Sequence, residues 1–186
     1  YLKQVESQEL KIAALPERKT ISSRLALARF YLANGLAAEA LGILSVMARI
    51  DQDVEKDPVF NATRAVANLL MGRPDRAGKD LTVHGLSQDR HAEIWRSLMH
   101  TQKGNWRKAL NHFVIAEPEL RHYPHDIQGI VRLAAARSAL EVKNLPVAEF
   151  NIGVLRKLDL PADIKASCKL IEGRLLQALG RDEKAM

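Results

Sequence analysis

Cysteine and aromatic residues are scarce in this chain, and each shortage narrows what the protein can be. The 186 residues include one cysteine, Cys168, so no disulfide can form within the chain and cysteine usage leaves the compartment open. We expect Cys168 to be a small core residue, because it falls inside a predicted helix with no histidine near it in sequence. Aromatic residues make up 5% of the chain, while alanine and leucine abound. That balance favours packed helices over a β-sandwich.

The sequence also lacks the patterns of membrane spans and of common catalytic sites. No run of about 18 apolar residues occurs, and no charged-then-apolar signal opens the chain, so we expect no membrane insertion within it. The GxSxG, GxxxxGKS/T and GxGxxG motifs are missing, which removes the sequence anchors of hydrolases and nucleotide-binding proteins. We therefore predict a protein that is not an enzyme and that uses no cofactor.

Two short stretches resemble fragments of metal sites. Residues 51–57 alternate carboxylates, but an EF-hand loop needs glycine and glutamate where this chain has Lys56 and Ala62. We favour an acidic loop between helices, with Asp57 as a helix cap. Residues 122–125 contain two histidines with no cysteine or HExxH helix to accompany them, so we favour a loop with exposed histidines. The sequence thus predicts no metal site.

The stretch from Leu27 to Leu44 predicts two helices joined by a glycine turn. Its pattern consists of Leu27, Ala28, Tyr31, Gly35, Ala40 and Leu44. This pattern resembles the tetratricopeptide repeat, in which a leucine and a small residue precede an aromatic residue in one helix and Ala-x3-Phe follows in its partner. One such helix pair cannot bury its apolar face alone, so stacking of pairs supplies the stability.

Two sets of residues recur along the chain at similar intervals. The small residues of the second helices are Ala40, Ala77, Ala109, Ala148 and Ala185, at spacings of 37, 32, 39 and 37. The turn residues are Gly35, Gly72, Gly104, Asn144 and Gly180, at spacings of 37, 32, 40 and 36. The family repeats about every 34 residues, so the array is degenerate. The second repeat has Arg64 and Asn68 where leucine and tyrosine are expected, and the third has Arg96 and His100.

The resemblance covers residues 22–186 and implies an all-α fold. In this family, antiparallel helix pairs form a right-handed superhelical solenoid whose first helices line the concave side. We expect residues 1–186 to form a single domain of about five helix pairs, the last one truncated. Because Ala185 would begin a helix with no room to continue, we also expect the chain to be a piece of a longer protein.

The resemblance places one groove-facing residue on each first helix. These residues are Arg29, Val66, Leu98, Arg137 and Arg174. Three arginines among five positions could form a cationic stripe, since the guanidinium fork binds carboxylates well. Our leading hypothesis is a non-enzymatic scaffold that binds an acidic segment of a partner protein in the concave groove. The alternative is that each arginine lies along its own helix and pairs locally with a glutamate or a carbonyl.

Residues 90–112 support a different hypothesis, a site for single-stranded nucleic acid. The basic residues there are Arg90, Arg96, Lys103, Arg107 and Lys108, and they are interleaved with three histidines, Trp95 and Trp106. Phosphates bind fixed cations and unpaired bases stack on aromatic rings. The alternative is that both tryptophans are buried between helices, which would leave an ordinary solvated face. The net charge of +6 favours an anionic partner in either case.

Overall fold

The computed structural model describes residues 17–180, with side chains from residue 21 onward. Its α-helices are α1 (Glu17–Ala33), α2 (Ala37–Ile50), α3 (Pro58–Leu70), α4 (Pro74–Asp80), α5 (Arg90–Gln102), α6 (Trp106–Leu120), α7 (His125–Glu141), α8 (Leu145–Leu155) and α9 (Ala162–Ala178). Short 3-10 helices, Gln52–Lys56 and His84–Leu86, follow α2 and α4. The residues so described contain no β-strand, which confirms the all-α class. Ala185 lies outside them.

The chain divides into two compact units, of which the first ends at Ser87 and the second begins at Gln88. In the first unit α1 packs on α2, α3 packs on α4, and α3 also contacts α1 and α2. In the second unit α5 packs on α6, α7 packs on α8 and contacts α5 and α6, and α9 contacts α7 and α8. Within each unit, the first helix of one pair therefore contacts the first helix of the next, as stacked repeats require. A single domain and a superhelix over the whole chain stay predictions.

The four described helix pairs each turn on one residue with a left-handed backbone, and Gly180, which follows α9, has the same conformation. The φ angles are +75° at Gly35, +67° at Gly72, +71° at Gly104, +59° at Lys143 and +67° at Gly180. At the first turn, the amide of Leu36 donates to the carbonyl of Tyr31 at 2.9 Å, and the same six-residue hydrogen bond closes the next three turns. This closure satisfies carbonyl groups that a helix end would otherwise leave without donors.

The fourth turn residue is Lys143, so the prediction of Asn144 is wrong by one position. Asn144 has a φ of −88° and caps α8, where its side chain accepts a hydrogen bond from the amide of Val147 at 3.4 Å. Asparagine tolerates the left-handed region better than lysine does, but it is also a preferred N-cap residue. Here Asn144 serves as the N-cap. With Lys143 the turn spacings become 37, 32, 39 and 37, identical to those of the small residues.

The repeat pattern fills the core of the first unit. Leu27, Ala28, Tyr31, Ala40 and Leu44 are all buried in one cluster that extends to Phe60 of α3. In the second unit, the core runs from α7 to α9 and includes Cys168. Burial raises the pKa of the Cys168 thiol, which confirms its role as a core residue.

None of the helices in the described part of the chain combines the length and the apolar content needed to cross a membrane.

Candidate functional site

Two residues that depart from the repeat pattern, Arg64 and Asn68, form a polar surface with Asp80 in the first unit. We call these three residues the polar floor. Arg64 and Asn68 of α3 occupy the positions that Leu27 and Tyr31 hold in α1, where both are buried. Arg64 does not extend the apolar core but binds a buried carboxylate of α4. Its Nε and Nη2 atoms donate to Oδ1 of Asp80 at 3.0 and 2.8 Å, and Asp80 is only 5% exposed.

Arg64 is held by contacts on all sides of its guanidinium. Nη1 donates to Oε1 of Glu55 at 2.6 Å, and Nη2 approaches Oδ1 of Asn61 at 3.4 Å. The guanidinium carbon lies 4.9 Å from the centroid of the Phe60 ring. The Arg64 side chain is therefore fixed in place.

Asn68 and Asp80 complete the floor. The Asn68 amide nitrogen donates to the carbonyl of Arg64 at 3.0 Å and approaches Oδ2 of Asp80 at 3.5 Å. Its oxygen is buried and accepts no hydrogen bond within the described residues. Burial raises the pKa of the Asp80 carboxyl, and the hydrogen bond from Arg64 opposes that shift.

This floor belongs to a cavity of about 1050 Å³ between α2, the following 3-10 helix, α3 and α4. All of its lining residues fall between positions 41 and 80, within the first unit. The basic residues of the lining are Arg49, Lys56, Arg64, Arg73, Arg76 and Lys79, and the acidic ones are Asp53, Glu55 and Asp80. We call this cavity the basic pocket.

Each acidic residue of the basic pocket already has a cation. Asp53 pairs with Lys56 at 2.7 Å, whereas Glu55 and Asp80 both pair with Arg64, at 2.6 and 2.8 Å. Four exposed basic residues of the lining make no ion pair within residues 17–180, and we call them the free cations: Arg49, Arg73, Arg76 and Lys79. With six basic and three acidic residues, the lining has a net charge of +3 and favours an anionic ligand.

The free cations come from two different helices and a turn. Arg49 lies in the last turn of α2, whereas Arg73 precedes α4, and Arg76 and Lys79 lie within it at a spacing of three residues. Residues at that spacing share one side of a helix. The free cations thus line the basic pocket from both α2 and α4.

The residues that sequence analysis predicted for the groove lie elsewhere in their units. In the first unit, Arg29 is exposed and Val66 is half-buried, and neither lines the basic pocket. In the second unit, Leu98 is 6% exposed, the Arg137 guanidinium lies 5.5 Å from the centroid of the Trp106 ring, and Arg174 donates to Glu141 at 2.9 Å. Arg174 thus pairs with a glutamate of α7 and not with one of its own helix, α9. The five residues stay a prediction as a binding site.

The aromatic residues of the 90–112 stretch are engaged within the second unit. Trp95 is 8% exposed and packs edge-on against Tyr123, with ring centroids 6.3 Å apart. Trp106 is half-buried and has Arg137 against its ring. The buried Trp95 is not available for base stacking in this conformation, and Arg137 covers one face of Trp106, so nucleic-acid binding there stays a prediction.

A charged cluster links α5 to α6 in the same stretch. Glu93 accepts hydrogen bonds from Arg96 at 2.5 Å and from Nδ1 of His112, and the His100 ring stacks on the His112 ring with centroids 5.0 Å apart. Burial lowers the pKa of His100, and the neighbouring His112, Lys108 and Lys103 lower it further. Arg96 and His112 are therefore committed to Glu93 rather than free for phosphate.

The charged cluster and the polar floor occupy the same positions in successive repeats. Residues 61, 64, 68 and 80 of the second repeat correspond to residues 93, 96, 100 and 112 of the third, each 32 positions later, which is also the spacing of Gly72 and Gly104. In both repeats these positions hold polar side chains that link a first helix to a second helix. In the second repeat Arg64, Asn68 and Asp80 line a cavity, whereas in the third His112 and Glu93 contact each other.

Sequence analysis missed the basic pocket although two signals were present. Arg64 and Asn68 were recognised as departures from the repeat pattern, but they were interpreted only as degeneracy. Arg73, Arg76 and Lys79 follow one another at intervals of three residues around a short helix, which concentrates positive charge on one segment.

The predicted acidic loop, residues 51–57, lies between α2 and α3. Asp57 caps α3 by accepting a hydrogen bond from the amide of Val59 at 2.7 Å, which confirms the prediction, and Asp51 caps the 3-10 helix in the same way at 2.9 Å. His122 and His125 are exposed. Across residues 17–180, no group of three or more His, Cys, Asp or Glu side chains is placed to hold a metal ion.

Comparison with known proteins finds no matching family model, no similar curated protein and no similar solved structure. The fold and the pocket therefore define the class of protein: an all-α protein of packed helix pairs with a basic pocket in its first unit.

Proposed function

We propose that this chain is a tetratricopeptide-like interaction module that binds an acidic segment of a partner protein and has no catalytic activity of its own. The observation that carries the proposal is the set of four free cations in the basic pocket. The assignment to tetratricopeptide-like repeats is supported by the left-handed turns and by the first-helix contacts within each unit, and a right-handed superhelix is what that assignment implies.

The size and chemistry of the pocket suit a segment of chain better than a single ion. Its volume of about 1050 Å³ lies just above the range for small-molecule sites, roughly 300–1000 Å³. Arg49, Arg73 and Arg76 each present a guanidinium fork, which binds carboxylates in a bidentate manner. The affinity should be modest, because ordering a flexible segment offsets part of the contact energy.

Charge reversal in the basic pocket is expected to remove this binding. The probe is a fluorescently labelled short peptide of aspartate and glutamate, titrated with the protein while anisotropy is recorded. Arg76→Glu should weaken binding by about tenfold or more, because it replaces an attractive contact with a repulsive one. Affinity should also decrease as salt is added, since exposed charges are screened.

Two reversals elsewhere serve as matched controls, with circular dichroism to show that helical content is kept. Arg107→Glu changes the 90–112 stretch and Arg137→Glu changes the predicted groove. Both variants should bind the peptide within about twofold of the unsubstituted protein, because salt screens exposed charges that do not contact the peptide. If Arg137→Glu alone removes binding, the groove is the site and the basic pocket is not. If Arg107→Glu alone does so, the hypothesis of nucleic-acid binding takes its place.

A further inference from the structure

We propose that the basic pocket recognises a phosphoryl group, so that phosphorylation of a side chain in the acidic partner segment strengthens binding. This inference rests on the proposed function and adds the chemistry of the group that occupies the pocket. It follows from the number, placement and pairing of the charges in the lining.

The basic pocket has more free cations than a single carboxylate can pair with. A carboxylate has a single charge and two oxygens in one plane, and one guanidinium fork satisfies it. A phosphorylated side chain has a charge of about −1.5 to −2 at neutral pH and three acceptor oxygens. Arg49 on α2 lines the same cavity as Arg76 and Lys79 on α4, and a phosphoryl group has enough acceptor oxygens for more than one of these cations.

The acidic residues of the pocket offset only one of the free positive charges. Arg64 pairs with both Glu55 and Asp80, so this group of three keeps one negative charge, whereas Asp53 is neutralised by Lys56. The lining as a whole therefore keeps a net charge of +3. The free cations are left to balance a dianion together with acidic neighbours in the same segment.

The lining favours a phosphorylated protein segment over a nucleic acid. Sites for single-stranded nucleic acids pair a basic groove with aromatic rings on which bases stack. Within the described residues, no aromatic side chain lines the basic pocket, and the nearest ring in the network, Phe60, is fully buried. The phosphate source that fits is therefore a phosphorylated side chain.

Three labelled peptides test the inference. They share an aspartate- and glutamate-rich sequence and differ at one central residue, which is serine, glutamate or phosphoserine. At pH 7.5 the phosphoserine peptide should bind about tenfold more tightly than the serine peptide, the equivalent of one added charge-assisted hydrogen bond. It should also bind more tightly than the glutamate peptide.

The pH dependence identifies the group that is recognised. The phosphoserine advantage should decrease as the pH falls through about 6, where a phosphoryl group loses its second charge. The glutamate peptide should keep its affinity over that range, because its carboxyl titrates near about 4.3. Among the described residues no histidine lines the pocket. Burial raises the pKa of the Asp80 carboxyl in the lining, but its protonation would make the pocket more positive and change the affinity in the opposite direction.

A conservative substitution tests the arginine forks themselves. Arg76→Lys keeps the charge but loses the bidentate geometry, so it should reduce the phosphoserine advantage while leaving the serine peptide nearly unaffected. Arg107→Lys, outside the pocket, should change neither peptide.

The outcomes separate the inference from the proposed function. If phosphoserine and glutamate peptides bind equally at all pH values, the inference is wrong while the proposed function stands. If none of the three peptides binds, the proposed function itself fails. If a single-stranded oligonucleotide displaces the phosphoserine peptide better than unlabelled phosphopeptide does, the assignment of a phosphorylated protein segment is overturned.

Discussion

Replacing Glu117 with alanine is expected to lower the free energy of unfolding by about 3–5 kcal/mol. Glu117 of α6 is the counter-ion of Arg132 in α7, whose side chain is 3% exposed. Arg132 donates from Nη2 to Glu117 at 3.2 Å and from Nη1 to Asn151 at 3.4 Å, while its buried Nε has no hydrogen-bond partner among the described residues. Without Glu117 a buried guanidinium would lose its compensating charge.

Two further variants show whether the loss comes from this pair, with urea denaturation as the measurement. Glu149→Ala removes an exposed acid of α8 and should change stability by less than about 0.5 kcal/mol. Arg132→Met should lower the free energy of unfolding less than Glu117→Ala does, because Glu117 would keep its two hydrogen bonds from Arg121, at 3.1 and 2.7 Å. If Glu117→Ala and Glu149→Ala lower the free energy of unfolding equally, the buried pair of Glu117 and Arg132 does not stabilise the fold.

Arg64→Met is expected to lower the free energy of unfolding by about 3 kcal/mol at pH 7. The substitution leaves the Asp80 carboxylate 5% exposed without its cation. Burial already raises the pKa of Asp80, and removing Arg64 raises it further. A carboxyl whose folded pKa is raised gains stability below the unfolded value near about 3.9 and loses it as the pH rises through the folded pKa. The deficit of Arg64→Met should therefore shrink as the solution is acidified.

The double variant Arg64→Met, Asp80→Leu provides the control for this effect. Replacing both members of a buried pair with apolar side chains is often nearly neutral, so the double variant should recover most of the stability that Arg64→Met loses. Arg49→Met, at an exposed position of the same pocket, should change stability by less than about 0.5 kcal/mol. A deficit of Arg64→Met that stays constant between neutral and acid pH would exclude a buried Asp80 charge as its cause.

The sequence predicted the parts of the fold that depend on local chemistry. Leu27, Tyr31 and Leu44 recur at helical intervals around Gly35, and such a pattern specifies two packed helices and the left-handed turn between them. The error at Asn144 arose because one residue type suits both a left-handed turn and an N-cap. Sequence alone does not tell which use the chain makes of it.

The parts that sequence analysis missed depend on contacts between helices. Arg64 meets Asp80 across 16 positions of chain, and Arg132 meets Glu117 across 15. Charged residues are seldom fully buried, so residue type gave no reason to place Arg132 in the interior. The basic pocket likewise exists only because α2, α3 and α4 are packed together, whereas the groove prediction rested on helix positions transferred from the family.

The most direct test of acidic-segment binding in the basic pocket is to map where an acidic peptide lies on the protein. A peptide of aspartate and glutamate with a photoreactive group is irradiated with the chain, and the cross-linked sites are identified by mass spectrometry after digestion. The structure predicts that the cross-links fall within residues 41–80 and that Arg76→Glu removes them. Cross-links confined to residues 90–112, or to the surroundings of Arg137, would contradict it.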